Sequence, residues 1–174
     1  PITIPVGEFL LGTLIDPMGN PMDGHPLDLS NAQWRSIEGP PPSPFERPII
    51  TEMFSTGVRA IDSCLTFGCG QRMGLFAGSG VGKSTLLGMI ARNSDADVNV
   101  VALIGERGRE VKEFIEDALG EEGMKKSVLV CATGDQPPLI RQKCLLAATA
   151  VCEYFRDQGK KVFLMTDTIT RCAM

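Results

Sequence analysis

Ala77-Gly78-Ser79-Gly80-Val81-Gly82-Lys83-Ser84 lies between an apolar run, Met73-Gly-Leu-Phe-Ala77, and a helix-forming segment, Lys83–Asn93. The template of a phosphate-binding loop is G-x-x-x-x-G-K-[ST]. Gly82-Lys83-Ser84 fits its end, and Ala77 stands in the place of the first glycine, a change the relaxed motif tolerates. Glycines let successive backbone N–H groups curl round an oxyanion in conformations that side chains obstruct. The helix that follows aims its partially positive N-terminus at the same point. Lys83 then reaches β- and γ-phosphates, the Ser84 hydroxyl is a ligand for Mg²⁺, and Thr85 supports the α-phosphate. The competing reading is a glycine-rich turn with an incidental lysine, and the placement between a strand and a helix weighs against it.

Outward from the loop, strands and helices alternate. After the expected strand 73–77 and helix 83–93, Val98-Asn-Val-Val-Ala-Leu-Ile104 reads as a strand buried on both faces. Val111, Phe114, Ile115, Ala118 and Leu119 fall at helical spacing, with Glu113, Glu116 and Asp117 on the opposite face and Gly120 as the expected stop. Ser127-Val-Leu-Val-Cys131 is a third strand. A helix capped by Asp135 is expected to run to Gly159, and Val162-Phe-Leu-Met165 is a fourth strand. This order predicts an α/β fold with a mainly parallel sheet and right-handed crossovers.

In such a sheet the carboxyl ends of the strands gather at one edge, where ligands bind. The second strand delivers Gly105-Glu106-Arg107-Gly108-Arg109-Glu110 there, and the fourth delivers Thr166-Asp167. Asp167 is the Mg²⁺-side carboxylate of a Walker B pattern, Glu106 is placed to polarise an attacking water, and Glu110 to hold a water on the metal. Arg107 offers phosphate oxygens a fork that lysine cannot reproduce. Each has a plainer alternative: Asp167 as a helix cap, Glu106 and Glu110 as first-turn acids, and Arg107, Arg109 and Arg171 as surface ion-pair partners. Spacing does not decide among the arginines.

Composition narrows the rest. The 174 residues carry 17 Lys+Arg against 21 Asp+Glu, a net charge of −4, which argues against nucleic-acid binding driven by bulk charge. No apolar run approaches the roughly 20 residues that span a bilayer. Six cysteines show no C-x-x-C pair, and with one histidine, His25, a Cys/His zinc site and Ser–His–Asp catalysis are both disfavoured. The cysteines read as small hydrophobes in a reducing compartment. Ten of the 12 prolines precede position 50, including Gly39-Pro-Pro-Pro-Ser-Pro44. Residues 1–50 are therefore expected to be a peripheral, Pro-rich lead-in and 51–174 the core unit. The chain begins without Met, which reads as excision from something longer.

Gly74-Leu-Phe-Ala-Gly-Ser-Gly-Val-Gly-Lys-Ser-Thr-Leu-Leu-Gly88 together with Leu103-Ile-Gly-Glu-Arg-Gly-Arg-Glu-Val111 resembles the ATPases of bacterial type III export, flagellar and injectisome, which are similar to the F-type ATP synthase alpha/beta subunits. Thr56-Gly-Val-Arg-Ala-Ile-Asp62, Gly70-Gln-Arg-Met-Gly74, Tyr154-Phe-Arg-Asp-Gln-Gly159, Leu164-Met-Thr-Asp-Thr-Ile-Thr-Arg171 and Ile15-Asp-Pro-Met-Gly-Asn-Pro-Met-Asp23 extend the likeness over essentially the whole chain.

The resemblance implies a RecA-like P-loop NTPase core, truncated at its C-terminal side before the arginine finger and the adenine-contacting region. It implies ATP and Mg²⁺ as cofactors. Gly78, Ser79, Gly80, Val81, Gly82, Lys83, Ser84 and Thr85 would be the nucleotide loop, with Asp167 and Arg171 beside it. Glu106, Lys83 and Arg107 would be catalytic, and Ser84, Asp167 and Glu110 would face the metal, the last two through water. It further implies ATP hydrolysis that energises the unloading and export of substrates, in a homohexamer meeting export-gate, stalk and negative-regulator proteins and chaperone–substrate complexes. The expected place is the cytoplasmic face of the inner-membrane export apparatus, with peripheral membrane association only and no nucleic acid. Lys112–Gly120 looks more flagellar than injectisome. Cys172 and Thr166 depart from the family pattern without removing a catalytic group. The alternatives are a synthase catalytic subunit, a Rho- or RecA-like nucleic-acid motor, and a fragment that binds nucleotide without turnover.

Overall fold

A computed structural model describes residues 1–78 and 80–173. Its strands are β1 (Thr3–Val6), β2 (Thr13–Ile15), β3 (Gln33–Ser36), β4 (Val98–Ile104), β5 (Ser127–Ala132) and β6 (Val162–Thr166). Its helices are α1 (Arg59–Cys64), α2 (Lys83–Asn93), α3 (Gly108–Glu113), α4 (Gly120–Lys125), α5 (Pro138–Asp157) and α6 (Thr170–Ala173), with a π-helical turn, Phe114–Leu119, joining α3 to α4. The main sheet has the order β2-β5-β4-β6 and is parallel throughout. β1 and β3 form a separate antiparallel pair.

The alternation of side chains along β4 and β5 divides the core between two faces. Val98, Val100, Ala102, Ile104, Val128 and Val130 meet α5 through Cys144, Ala147, Ala148, Val151 and Phe155. On the other face Val101, Leu103, Leu129, Cys131 and Met165 meet Ala91 of α2 with Val111, Phe114 and Leu119. Every residue of β4 and β5 is buried, as the near-continuous apolar runs predict. Each large side chain sealed this way contributes about 1.5–3 kcal/mol of hydrophobic stabilisation.

Four expectations need correction. Residues 73–77 form no strand, and Met73, Leu75 and Phe76 are exposed, so among the described residues β6 is paired on one side, to β4. Apolar content predicts burial but names no partner, and the fourth parallel strand comes instead from Thr13–Ile15, paired with β5. The lead-in is accordingly not peripheral in its first part: Ile4, Val6, Leu10 and Ile15 are buried in the α5 face of the core, and Arg35 pairs with Glu153 and Asp157 of α5. Residues 38–50, which hold the proline cluster, are exposed. Gly120 does not end the helical run: its φ of +62° breaks the π turn, and α4 continues beyond it. Asp135 does not cap α5, which starts at Pro138 with Pro137 in the cap position, because a proline at the first helical position supplies the required φ without a capping side chain.

The carboxyl ends of β4, β5 and β6 lie side by side. The turns after β4 and β5 are tied together by Gly105 N–H to Ala132 O at 2.6 Å and Gly134 N–H to Glu106 O at 3.0 Å. No helix among the described residues is long and apolar enough to cross a membrane.

Candidate active site

The glycine loop meets α2 at Gly82, whose φ of +97° places the helix cap in the left-handed region, where a side chain is strained. Gly80 is likewise at +74°, and a Cβ at Gly78, Gly80 or Gly82 would meet nothing within 4 Å, so the loop opens onto free space. Among the described residues no side chain caps α2, and no acid stands in its first turn. Its leading N–H groups and its positive end are therefore available to an anion. Gly78, Gly80, Val81, Ser84 and Thr85 are exposed, while Ser79 lies outside the described residues. Lys83 is half-buried, and its Nζ donates to the main-chain carbonyl of Asp167 at 2.8 Å.

Asp167 follows β6 directly. Its Oδ1 accepts from Ile104 N–H at 3.0 Å and from Thr168 N–H at 2.7 Å, which fixes the carboxylate against the end of β4. Its Oδ2 is buried with no hydrogen-bond partner among the described residues. A buried carboxylate oxygen with no donor is an energetic debt that a cation or a bound water would relieve. Asp167 does not cap α6, which begins three residues later; its bonds tie two strand ends together.

Glu106 leaves the end of β4 through Gly105, a residue at φ +73° whose Cβ would stand 2.8 Å from Arg171 Cδ. Only glycine permits that approach, and it lets Arg171 Nη1 reach Glu106 Oε1 at 2.9 Å and Ile104 O at 3.4 Å. Glu106 is pushed up to about 8, first by burial and then by the neighbouring Glu110 and Asp167 carboxylates, with Arg171 opposing. Glu110 is held below its ordinary value by its hydrogen bond with Glu106 and by Arg107 N–H, which donates to Glu110 Oε2 at 3.2 Å. Glu110 thus serves as a first-turn acid of α3 while facing Glu106. Arg109 turns away to pair with Glu113 on the surface, which separates it from Arg107 and Arg171.

Arg107, Glu110 and Arg171 line a cleft of about 630 Å³ with Gly105, Gly108, Gly134, Asp135 and Arg141. Arg141 was not singled out in the sequence, although its position in the first turn of the helix after β5 brings it to the same sheet edge. Among the described residues no group of three or more His, Cys, Asp or Glu is arranged to hold a metal. The donors fit Mg²⁺ in another manner, with one buried carboxylate oxygen at Asp167, since Mg²⁺ is usually held by one or two carboxylates together with substrate phosphates.

The chain is 56% identical, over 99% of its length, to the flagellum-specific ATP synthase of Bacillus subtilis, and 50% identical to the type 3 secretion system ATPase of Xanthomonas euvesicatoria. It covers 39% of each of those proteins, so it spans about two fifths of the length of the curated relatives it matches. A solved ATPase from the type III secretion system of pathogenic bacteria superposes with a TM-score of 0.91 at 53% identity, over 98% of this chain and 49% of that one. The assembled ATPase EscN in complex with its central stalk EscO, from enteropathogenic E. coli, superposes at 0.92 and 53% identity, over 99% and 42%. The expected P-loop α/β core is the fold of these relatives, and neither a synthase subunit nor a nucleic-acid motor is favoured. Residues 57–174 match the ATP synthase alpha/beta family, nucleotide-binding domain, and the chain belongs to that family.

Proposed function

We propose that this chain carries the phosphate-binding and water-activating half of an ATPase that powers type III protein export, in the flagellar branch. The observation that carries the reading is the junction of Lys83 with Asp167 at the mouth of a glycine-opened helix, which among the described residues has no capping side chain, with a buried Asp167 oxygen left without a donor among those residues. Within this proposal residues 1–50 lead into the ATPase unit, lending Thr13–Ile15 to its sheet, and 51–174 form the rest of its first part.

ATP is the substrate. The N–H groups of residues 78–84 and the Lys83 ammonium grip its phosphates, with Thr85 beside them. Ser84, Asp167 and Glu110 would hold Mg²⁺, which when bound neutralises phosphate charge. Glu106 orients and polarises the water, and its ionised form is the competent one. Arg107 and Arg171 meet phosphate oxygens in the fork geometry of a guanidinium. EscN is found assembled and with a stalk. By likeness, the whole protein forms a homohexamer, engages a stalk, export-gate and regulator proteins, and receives chaperone–substrate complexes at the cytoplasmic face of the inner membrane.

The test is ATP turnover of the full-length protein beside Glu106→Gln and Lys83→Ala. Glu106→Gln should lose about 10²- to 10⁴-fold in turnover while still binding nucleotide, and Lys83→Ala should lose binding. Undiminished turnover in Glu106→Gln would sink the assignment. Restored motility in a strain lacking its flagellar export ATPase separates the flagellar branch from the injectisome.

A further inference from the structure

The far end of α5 carries a second cleft, of about 380 Å³, whose walls include Glu8, Phe9, Asp28, Tyr154 and Gln158. α5 is 20 residues long, so this cleft lies roughly 30 Å from the helix start that meets the nucleotide edge. The reaction proposed above makes no use of it.

Tyr154 is the informative side chain. It is 9% exposed and packs in the α5 face of the core, its ring centroid 5.1 Å from that of Phe155. A buried tyrosine hydroxyl ordinarily finds a hydrogen-bond partner. Here it bonds to no described residue and is not sealed in the interior, so its polar tip emerges in the cleft.

The charges around that hydroxyl have one sign. Glu8 opens the short turn Glu8–Leu10, which Leu10 anchors in the core. Asp28 is fixed by its own loop, where Oδ1 accepts from Ser30 N–H at 3.1 Å and from Ser30 Oγ at 2.6 Å. These bonds, the hydroxyl first, hold Asp28 below its ordinary value and so ionised. Neither acid has a cation within ion-pair distance among the described residues. The arginines at this end of α5 are already engaged, Arg35 by Glu153 and Asp157 and Arg156 by Asp157. Gln158 follows the last turn of α5, so the negative end of a long helix stands at the cleft wall.

A metal ion does not suit these walls, since among the described residues no group of three or more His, Cys, Asp or Glu is arranged to hold one. Two acids, an unmet hydroxyl and the rings of Phe9 and Tyr154 suit a flat, weakly hydrated cation. A carboxylate meets such a cation side-on, and an aromatic ring covers its face. We propose that this cleft binds a guanidinium group on an alkyl stem, with Asp28 and Glu8 as its carboxylates and the Tyr154 hydroxyl as a further acceptor. The group comes from an arginine of a partner protein or from a free alkylguanidine.

The experiment uses the full-length protein with two probes, ethylguanidinium and an acetylated Gly-Arg-Gly amide, titrated at constant ionic strength and followed by saturation-transfer NMR. Both should bind saturably to wild type. Ethylammonium, with the same charge and no fork, should bind several-fold more weakly. Tyr154→Phe keeps the buried ring and should weaken ethylguanidinium about fivefold, the loss of one hydrogen bond. Asp28→Asn should weaken it about tenfold, the loss of a charge-assisted one. Both variants should melt like wild type and hydrolyse ATP at its rate. A wild type without ATP turnover would count against the ATPase reading and leave this test intact. Tighter binding of the peptide than of ethylguanidinium, with the same losses in the variants, assigns the site to a partner's arginine, and the reverse order to a free guanidine. Absence of saturable binding, equal binding of ethylguanidinium and ethylammonium, or an affinity unchanged in either folded variant overturns the inference.

Discussion

Lys83 Nζ and the main-chain carbonyl of Asp167 are joined at 2.8 Å across 84 positions of sequence, which places the glycine loop and the end of β6 at one point. The Asp167 side chain divides its work there. Oδ1 is used by the fold, holding Ile104 and Thr168, and Oδ2 is buried and unmet among the described residues. Asp167→Asn separates the two duties, because the amide oxygen still accepts both N–H groups while an NH2 donor replaces the second oxygen. Thermal unfolding should move little, whereas Mg²⁺-dependent nucleotide affinity should fall about 10- to 100-fold. Nucleotide affinity measured in a chelator should be nearly unchanged. Equal affinities with and without Mg²⁺ in wild type would remove the metal-side role.

Gly88 and Gly78 make a matched pair. A Cβ at Gly88 would collide with the Ala118 carbonyl and side chain, where α2 presses on the π turn and Arg92 bonds the same carbonyl. Gly88→Ala should destabilise the protein by about 1–3 kcal/mol through overpacking against backbone that cannot yield. At Gly78 the same methyl meets nothing within 4 Å, so Gly78→Ala should leave the denaturation midpoint in place. Its effect should fall on nucleotide affinity, since the methyl occupies the approach to the phosphates. Urea unfolding and nucleotide titration of both variants check the contrast.

Much of this was legible before the structure, and the parts that were not share a cause. Val98–Ile104 and Ser127–Cys131 read as two-face-buried strands because burial on both faces demands unbroken apolar runs, and both are fully buried. The segment 73–77 has the same apolar look but stays exposed, and Thr13–Ile15 takes a place in the parallel sheet. Composition reports how much burial a segment seeks, not which edge will accept it. Glu106, Asp167 and Lys83 stand out in the sequence because strand ends and a loop motif carry them, and Arg171 through the resemblance; the structure joins Lys83 to Asp167 and Arg171 to Glu106. Arg141 escaped notice because a single arginine at a helix start has no motif, and only the cleft distinguishes it from Arg109, which lies on the surface.

Asp62 gives a pH signature. Its carboxylate accepts from Ser55 Oγ at 2.9 Å, Thr56 N–H at 2.9 Å, Thr56 Oγ1 at 2.6 Å and Gly57 N–H at 3.0 Å, so it closes the turn before α1. These bonds, those from Thr56 foremost, hold Asp62 below its ordinary value of 3.8. A lowered folded-state value means that the unfolded chain binds the proton more readily. The stabilisation is therefore complete above pH 3.8 and is lost as pH falls through the lower folded value. Asp62→Asn should be less stable than wild type at pH 7, and the difference in melting temperature should shrink below pH 3.8. A gap that stays constant down to pH 2 would mean that charge is not what the turn uses.

The thiols offer a test of the core that needs no substitution. All six cysteines are free, but they sit in opposite environments: Cys64 is exposed, and Cys131 and Cys144 are buried on β5 and α5. Burial pushes the Cys131 thiol up to about 12, and Cys144 is pushed higher still, its Sγ 3.2 Å from Val130 O. The thiolate is the reacting species, so a raised value and an enclosed sulfur both suppress reaction. With an aromatic disulfide reagent at pH 8, Cys64 should react in the native protein within the first phase. Cys131 and Cys144 should react only through unfolding, at rates that rise with urea as global opening does. Peptide mapping of the labelled sites at successive times assigns each phase. If Cys144 were modified as fast as Cys64 in native buffer, α5 would not be sealed against the sheet, and the packing of Ala147, Val151 and Phe155 on β4 and β5 would have to be redrawn.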